Sequence, residues 1–135
     1  MKTSSGFGVW LRKQGWVILL IALVQFALHL WTNAHDGIFR DEMYYIAAGQ
    51  HLAPGYVEYP PLVAAVARLS QGLFGNSVFG LRLLPALAGA TIVVLTGDMA
   101  GMLGAGVLGQ ALAAVAGALD GTFLGSSGLL TMDPF

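Results

Sequence analysis

The chain has 135 residues, of which 56% are apolar and only 10% are charged, and its formal net charge is −1. Soluble domains carry about 25% charged residues, so this composition predicts an integral membrane protein and excludes an ordinary soluble domain. The near-neutral charge gives no basic stripe, which excludes nucleic acid as a partner. Because the chain has no cysteine, disulfides and thiolate metal sites are excluded as well.

The first apolar run extends from Trp16 to Trp31 and follows a polar head that carries Lys2, Arg12 and Lys13. Tryptophans at both ends suit the two headgroup levels of a bilayer. With flanking residues, the run predicts a membrane span over 15–33. The basic head predicts a cytoplasmic N-terminus.

A cleaved signal peptide is the alternative for this segment, since Thr32-Asn33-Ala34 loosely resembles a cleavage site. Signal-peptide cores are usually about 7–15 residues long. This run is longer and further apolar segments follow it, so a span is favoured. Gln25 and His29 are four residues apart and share a helix face. We expect that face to look into the bundle and to form interhelical hydrogen bonds.

Residues 34–80 hold most of the charge and predict an extracytoplasmic loop with two interfacial helices. The first is predicted to begin near Asp41 as N-cap residue and to end at Pro54-Gly55. The second is predicted to begin after Tyr59-Pro60-Pro61, because proline favours the first helical turn, and to end at Gly75-Asn76. Short apolar helices of this length are typical of the membrane surface.

Two further spans are predicted over about 81–97, with Pro85 in the first turn, and over 105–120. They would form a helical hairpin. Small residues recur at four-residue spacing in and after these spans, which lets helix backbones approach closely in lipid. The glycines concerned are Gly97, Gly101, Gly117, Gly121 and Gly125.

Acidic residues are the candidates for chemistry. Asp41 and Glu42 are adjacent, and in a helix their side chains diverge by about 100°. One of them can face a cavity while the other caps the helix or pairs with Arg40. The alternative is a solvated, capped helix start without further function. Glu58 lies in a turn stiffened by two prolines, where desolvation would raise its pKa and suit proton transfer or metal binding.

Asp133 and the loop tyrosines are further candidates for function. Asp133, at the edge of an apolar stretch and followed by Pro134, can be functional or can cap a fourth helix. The loop tyrosines can line a sugar or lipid groove or can act as membrane anchors. These tyrosines are Tyr44, Tyr45, Tyr56 and Tyr59.

The order of these features resembles a known family. The segments concerned are Phe39-Arg40-Asp41-Glu42-Met43-Tyr44-Tyr45, Tyr56-Val57-Glu58-Tyr59-Pro60-Pro61-Leu62, Leu73-Phe74-Gly75-Asn76-Ser77 and Leu81-Arg82-Leu83-Leu84-Pro85-Ala86-Leu87-Ala88-Gly89-Ala90, with Asp133 after the third span. They resemble the N-terminal part of membrane glycosyltransferases with the GT-C fold. The bacterial branch similar to dolichyl-phosphate-mannose protein mannosyltransferases and the lipid A aminoarabinose transferase matches best. The resemblance covers nearly the whole chain beyond the basic head.

The resemblance implies a role for each matching residue. Asp41 would be the catalytic general base. Substrate contacts would come from Glu42, Arg40 and Tyr45, and Glu58 would lie close to the substrate and to a divalent metal, the one cofactor implied. Asp133 would shape the acceptor side of the cavity. The donor would be a polyprenyl-phosphate sugar, and the acceptor a lipid, glycan or protein.

The sequence therefore predicts an all-α integral membrane protein, a multi-span helical bundle of GT-C type with two interfacial helices in its first extracytoplasmic loop. Residues 1–135 would form the N-terminal part of a glycosyltransferase domain of the cell membrane, a fragment that is inactive by itself. The alternative is a small non-catalytic membrane protein or a transporter fragment. Many further spans encoded downstream of Phe135 would favour the enzyme.

Overall fold

A computed structural model describes residues 15–33, 35, 37–75 and 77–131, and all regular structure in these residues is helical. The basic head, Asn76 and Asp133, to which the sequence assigned roles, lie outside the described residues. The helices, in chain order, are α1 (Trp16–Asn33), α2 (Arg40–Gln50), α3 (Pro61–Phe74), α4 (Val78–Met102), α5 (Val107–Leu119) and α6 (Gly121–Ser127).

Helices α1, α4 and α5 pack against one another as a three-helix bundle. Its core consists of small and branched side chains, Ile18, Ala22, Val93, Ala114 and Ala118. The outward face of α1 exposes large apolar side chains such as Leu20, Leu23 and Leu28. An outward face of large apolar side chains suits lipid. Helices α1 and α4 are long and apolar enough to cross a membrane, and α5 with α6 could form a third, bent span. These observations agree with a helical membrane protein.

Helix α4 is longer than predicted at both ends. It begins at Val78, where the Ser77 hydroxyl accepts a hydrogen bond from the Gly80 amide at 3.4 Å. Pro85 is therefore inside the helix and not in its first turn, so that prediction is wrong. Proline cannot donate to the carbonyl four residues earlier, here that of Leu81. The early start matters for the site because it places Arg82 in the second turn of the helix and not at its first residues.

Helix α5 has 13 residues, which span about 20 Å at 1.5 Å per residue and are fewer than a straight span needs. The chain then bends by 61° into α6. The bend is fixed by Asp120, whose Oδ1 accepts hydrogen bonds from the Thr122 and Phe123 amides at 3.0 and 3.1 Å. The sequence predicted the end of the span near residue 120 but not this cap.

The two predicted loop helices are present as α2 and α3. Helix α3 begins at Pro61, one residue earlier than predicted, and its last residue is Phe74, followed by Gly75 as the C-cap at the predicted end. Helices α2 and α3 pack on each other, and α3 also packs on α4. Their shared core joins the loop to residues from α4 and from the segment after α6. Its members are Tyr45, Tyr59, Val63, Ala67, Leu81 and Leu130.

Close helix packing at glycine is found at three of the five predicted positions. A Cβ at Gly97 would lie 3.0 Å from Ile18 of α1, and one at Gly101 would lie 2.9 Å from the Gln110 side chain of α5. A Cβ at Gly117 would be 3.5 Å from Thr96 Oγ1. At Gly121 and Gly125 a Cβ would meet nothing within 4 Å. The last two glycines therefore leave open space, although they share the same spacing.

Candidate functional site

The centre of the candidate site is the carboxylate of Glu42, which is completely buried at the start of α2. Its Oε1 accepts hydrogen bonds from Arg82 Nε at 2.7 Å and from the Leu130 amide at 3.1 Å. Its Oε2 accepts from Arg82 Nη2 at 2.7 Å and from the Phe39 amide at 2.8 Å. Both oxygens are thus fully occupied by protein donors.

Arg82 is the partner that makes this burial possible. It lies in α4 with 1% of its side chain exposed, and its planar fork contacts the carboxylate through two nitrogens. Such bidentate pairs are among the strongest charge-assisted hydrogen bonds. Arg82 Nη2 also donates to the Gly37 carbonyl at 2.7 Å. The pair therefore ties together α2, α4, the chain after α1 and the segment after α6.

The pKa of Glu42 lies below its ordinary value. Burial by itself would raise this pKa, because desolvation disfavours the charged form. The hydrogen bonds from Arg82, Phe39 and Leu130 and the positive charge of Arg82 outweigh it. Glu42 is therefore ionised in the folded protein at neutral pH.

Asp41 has the opposite environment, although it is the adjacent residue. Its side chain is 51% exposed, and its Oδ1 is 3.6 Å from Nε of Arg40, which is itself 91% exposed. An exposed pair of this kind contributes little to stability. Asp41 is also not the N-cap, so that prediction is wrong. Phe39 is the N-cap residue, and its amide is satisfied by Glu42 three residues later.

All four tyrosines of the chain meet beside the acidic pair, centred on Tyr59. The Tyr59 ring is stacked on Tyr56 at a centroid distance of 4.7 Å and meets Tyr45 edge-on at 5.1 Å. Burial and the neighbouring tyrosine hydroxyls, that of Tyr44 first, raise the pKa of Tyr59 to about 12. Tyr59 and Tyr45 are buried, whereas Tyr44 is 52% exposed. Tyr45, predicted to contact substrate, is thus part of the core, and Tyr44 presents the accessible ring.

Glu58 is exposed in the turn that leads into α3, so the burial expected to desolvate its carboxylate is not found among the described residues. Among the described residues, no group of three or more His, Cys, Asp or Glu side chains is placed to hold a metal ion. The described residues therefore do not fit a metal centre, and Glu58 would need further ligands from elsewhere. The predicted contact between Glu58 and a metal stays a prediction.

Sequence reasoning missed Arg82 and the Leu130 amide as partners of Glu42. A signal for Arg82 was present, because an arginine at the start of an apolar helix must find a partner. The choice between Asp41, Glu42 and Glu58 as that partner depends on the packing of α2 on the start of α4. Comparison of the chain with protein-family models, with curated proteins and with solved structures gives no match.

Proposed function

We propose that this chain belongs to a polytopic membrane glycosyltransferase that moves a sugar from a polyprenyl-phosphate donor to an acceptor hydroxyl. The reaction would occur at the extracytoplasmic face, on the side of the loop formed by α2 and α3. The proposal derives its substrate class from the resemblance carried by the segments between Phe39 and Ala90. The geometry supports it because the two neighbouring carboxylates have different environments: Asp41 is exposed and Glu42 is buried.

The observation that carries the proposal is the contrast between Asp41 and Glu42. Glu42 is fixed by four hydrogen bonds and has no free oxygen. It therefore holds the first turn of α2 against α4 and cannot take a proton from a substrate. Asp41 is presented to the outside on that same turn, and within the described residues its one ion-pair contact is that with Arg40 at 3.6 Å. A general base needs both an accessible carboxylate and a fixed position.

In the proposed reaction the acceptor oxygen attacks the anomeric carbon of the donor sugar as Asp41 takes the acceptor's proton. The new carbon–oxygen bond forms while the bond between the anomeric carbon and the phosphate oxygen breaks. The polyprenyl phosphate leaves with the electron pair, and the sugar configuration inverts. Arg40 lies beside Asp41 and is free to approach the leaving phosphate, for which guanidinium is the preferred partner.

The exposed ring of Tyr44 and the carboxylate of Glu58 are the remaining candidates for substrate contact in the described residues. Tyr44 is held edge-on against Tyr59 at 5.4 Å, so its ring has a fixed orientation. Glu58 precedes Tyr59 directly in sequence. We therefore assign acceptor or sugar contact to this tyrosine cluster and its exposed edge, and catalysis to Asp41.

The test uses membranes from cells that express the whole reading frame containing this chain, with transfer measured from a radiolabelled polyprenyl-phosphate sugar. Asp41→Asn is expected to reduce turnover by about 10²–10⁴-fold, the usual contribution of a general base. Asp98→Asn is the matched control. Asp98 lies at the opposite end of α4, 16 residues and about 24 Å from Arg82 along the helix axis, and its substitution should leave turnover unchanged.

Unchanged turnover in Asp41→Asn would remove Asp41 from the mechanism. Absence of transfer by the unaltered protein from every polyprenyl-phosphate sugar tested would contradict the proposed function itself. Equal losses in Asp41→Asn and Asp98→Asn would indicate a general effect of lost charge and not of the base.

A further inference from the structure

The inward face of α1 becomes more polar toward the end of the helix. Ile18 and Ala22 are followed on this face by Gln25, His29 and Asn33, which are only 3%, 6% and 3% exposed. Within the described residues, Gln25 Oε1, His29 Nε2 and Asn33 Nδ2 have no hydrogen-bond partner. Buried polar groups are almost always satisfied by protein, water or ligand. Three such atoms on one face therefore leave hydrogen-bonding capacity that water or a ligand can take up.

His29 and Asn33 line an open groove of about 480 Å³ between the end of α1 and α6. Thr32 adds a hydroxyl to the same wall, and the opposite wall includes Gly125 and Gly128. Neither glycine places a side chain in the groove. A Cβ at Gly125 would meet nothing within 4 Å, and one at Gly128 would lie in ordinary contact, 3.5 Å from His29 Nδ1.

A second groove of about 390 Å³ runs along α1 toward its start. Its walls are apolar apart from Gln25 and come from α1 on one side and from α5 and α6 on the other. Leu28 and Leu124 line both grooves, so the first groove continues into the second. From Leu20 to Asn33 the combined groove follows 14 residues of α1, about 20 Å along the helix axis.

We propose that this combined groove binds a membrane amphiphile with an uncharged, hydroxyl-bearing head. The hydrocarbon chain would lie against Leu20, Val24 and Leu28 of α1, in the part that faces lipid. The head would meet His29 and Asn33. A hydroxyl suits both, because it accepts from the Asn33 amide and can either accept from or donate to the imidazole.

The residues that line the groove argue against a ligand with an anionic head group. Among the described residues that line its polar end, none is charged, whereas phosphate is typically bound by arginine or lysine. The ligand is therefore distinct from the lipid-phosphate donor proposed above. The inference does not require glycosyl transfer, and its test measures binding without turnover, so the two proposals fail independently.

The binding test places the full protein in phosphatidylcholine nanodiscs with a dodecyl β-glucoside that carries a photoreactive diazirine in its chain. We expect saturable labelling of α1 or α5 near Leu20–Leu28 or Val115–Leu119. Excess dodecyl glucoside should compete, whereas dodecyl phosphate and free glucose should not. Unsaturable labelling would overturn the site, and equal competition by dodecyl phosphate would overturn the assignment of the head.

Two glycines of α6 provide a matched pair of variants. Gly125→Leu would place a side chain in the groove without a backbone clash, and Gly121→Leu would place the same side chain in open space outside it. We expect Gly125→Leu to weaken glucoside binding at least tenfold and Gly121→Leu to leave it unchanged. Equal binding by both variants would show that the groove is not the binding site.

Asn33→Leu is a second, independent variant that tests the unpartnered amide. If the Asn33 amide forms its hydrogen bond only with a ligand, Asn33→Leu should not lower the unfolding temperature of the ligand-free protein, because it removes a buried polar group that has no hydrogen-bond partner. Glucoside affinity should fall at least tenfold. A lower unfolding temperature with unchanged affinity would show that Asn33 is satisfied within the protein, and would overturn the proposal.

Discussion

At the scale of single residues, Asp41 and Glu42 are adjacent in sequence but have different environments, one exposed and one buried. Because successive side chains on a helix diverge by about 100°, Glu42 points into the junction with α4 while Asp41 points outward. The buried carboxylate finds a bidentate partner in Arg82, and the exposed one does not need a partner. The ion pair between Glu42 and Arg82 therefore holds the first turn of α2 in position.

This role predicts a specific pattern of stability. Arg82→Met leaves the Glu42 carboxylate buried without its counter-ion, and it is expected to lower the free energy of unfolding by about 3–5 kcal/mol. Adding Glu42→Gln should recover part of this loss, since the buried negative charge is removed and the single amide oxygen still accepts from one of the two backbone amides, Phe39 or Leu130. The measurement is thermal unfolding of the purified protein in detergent. Arg82→Met with wild-type stability would contradict the role of the pair.

The same pair predicts how stability depends on pH. The folded-state pKa of Glu42 is lower than its ordinary value of 4.5. The stabilisation is thus fully present above pH 4.5 and is lost as the pH falls through the folded-state pKa. Unfolding temperatures of wild type and Glu42→Gln should converge below that pKa. The prediction fails if the difference between the two proteins is the same at about pH 3 and at about pH 7.

At the scale of helices, boundaries were set by caps and backbone conformation. Helix α3 ends at Gly75, whose φ of 66° and ψ of −153° lie in a region that essentially only glycine occupies. The same helix contains Gly72, where a Cβ would likewise meet nothing within 4 Å. The two positions differ in backbone conformation and not in available space.

This pair predicts opposite effects of one substitution. Gly75→Ala should destabilise the protein by about 1–3 kcal/mol, because alanine is strained at that φ and ψ. Gly72→Ala should stabilise it by roughly 0.5–1 kcal/mol, since alanine loses less backbone entropy in a helix. Denaturant unfolding of both variants provides the measurement. A stabilising Gly75→Ala would show that α3 ends in another conformation.

At the scale of the whole molecule, the bundle depends on how closely α1 approaches α4. At Gly97 a Cβ would lie 3.0–3.1 Å from three side-chain atoms of Ile18. Gly97→Ala should therefore destabilise the protein by about 1–3 kcal/mol through overpacking. Ile18→Ala in the same chain should relieve the clash, so that the combined loss is smaller than the sum of the single losses. Additive losses, measured by thermal unfolding, would contradict this contact.

The sequence by itself determined the class of protein, the two loop helices and the ends of α3. Composition, apolar runs, prolines and glycines act locally, so they could be read without a fold. It also placed Gln25 and His29 on one inward face, because helical periodicity is local as well. The interhelical hydrogen bonds predicted for that face are not found at Gln25 Oε1 or His29 Nε2, neither of which has a partner in the described residues.

Only the tertiary structure decided which acidic residue is buried and which is accessible. The partner of Glu42 is 40 residues away on α4, and its Leu130 contact is 88 residues away. No local pattern encodes contacts at such separations, because they depend on how the loop helices dock on the bundle. The groove beside α1 likewise depends on tertiary packing. The spacing of Gly125 predicted a close contact between helices, but Gly125 lines the groove and a Cβ there would meet nothing within 4 Å.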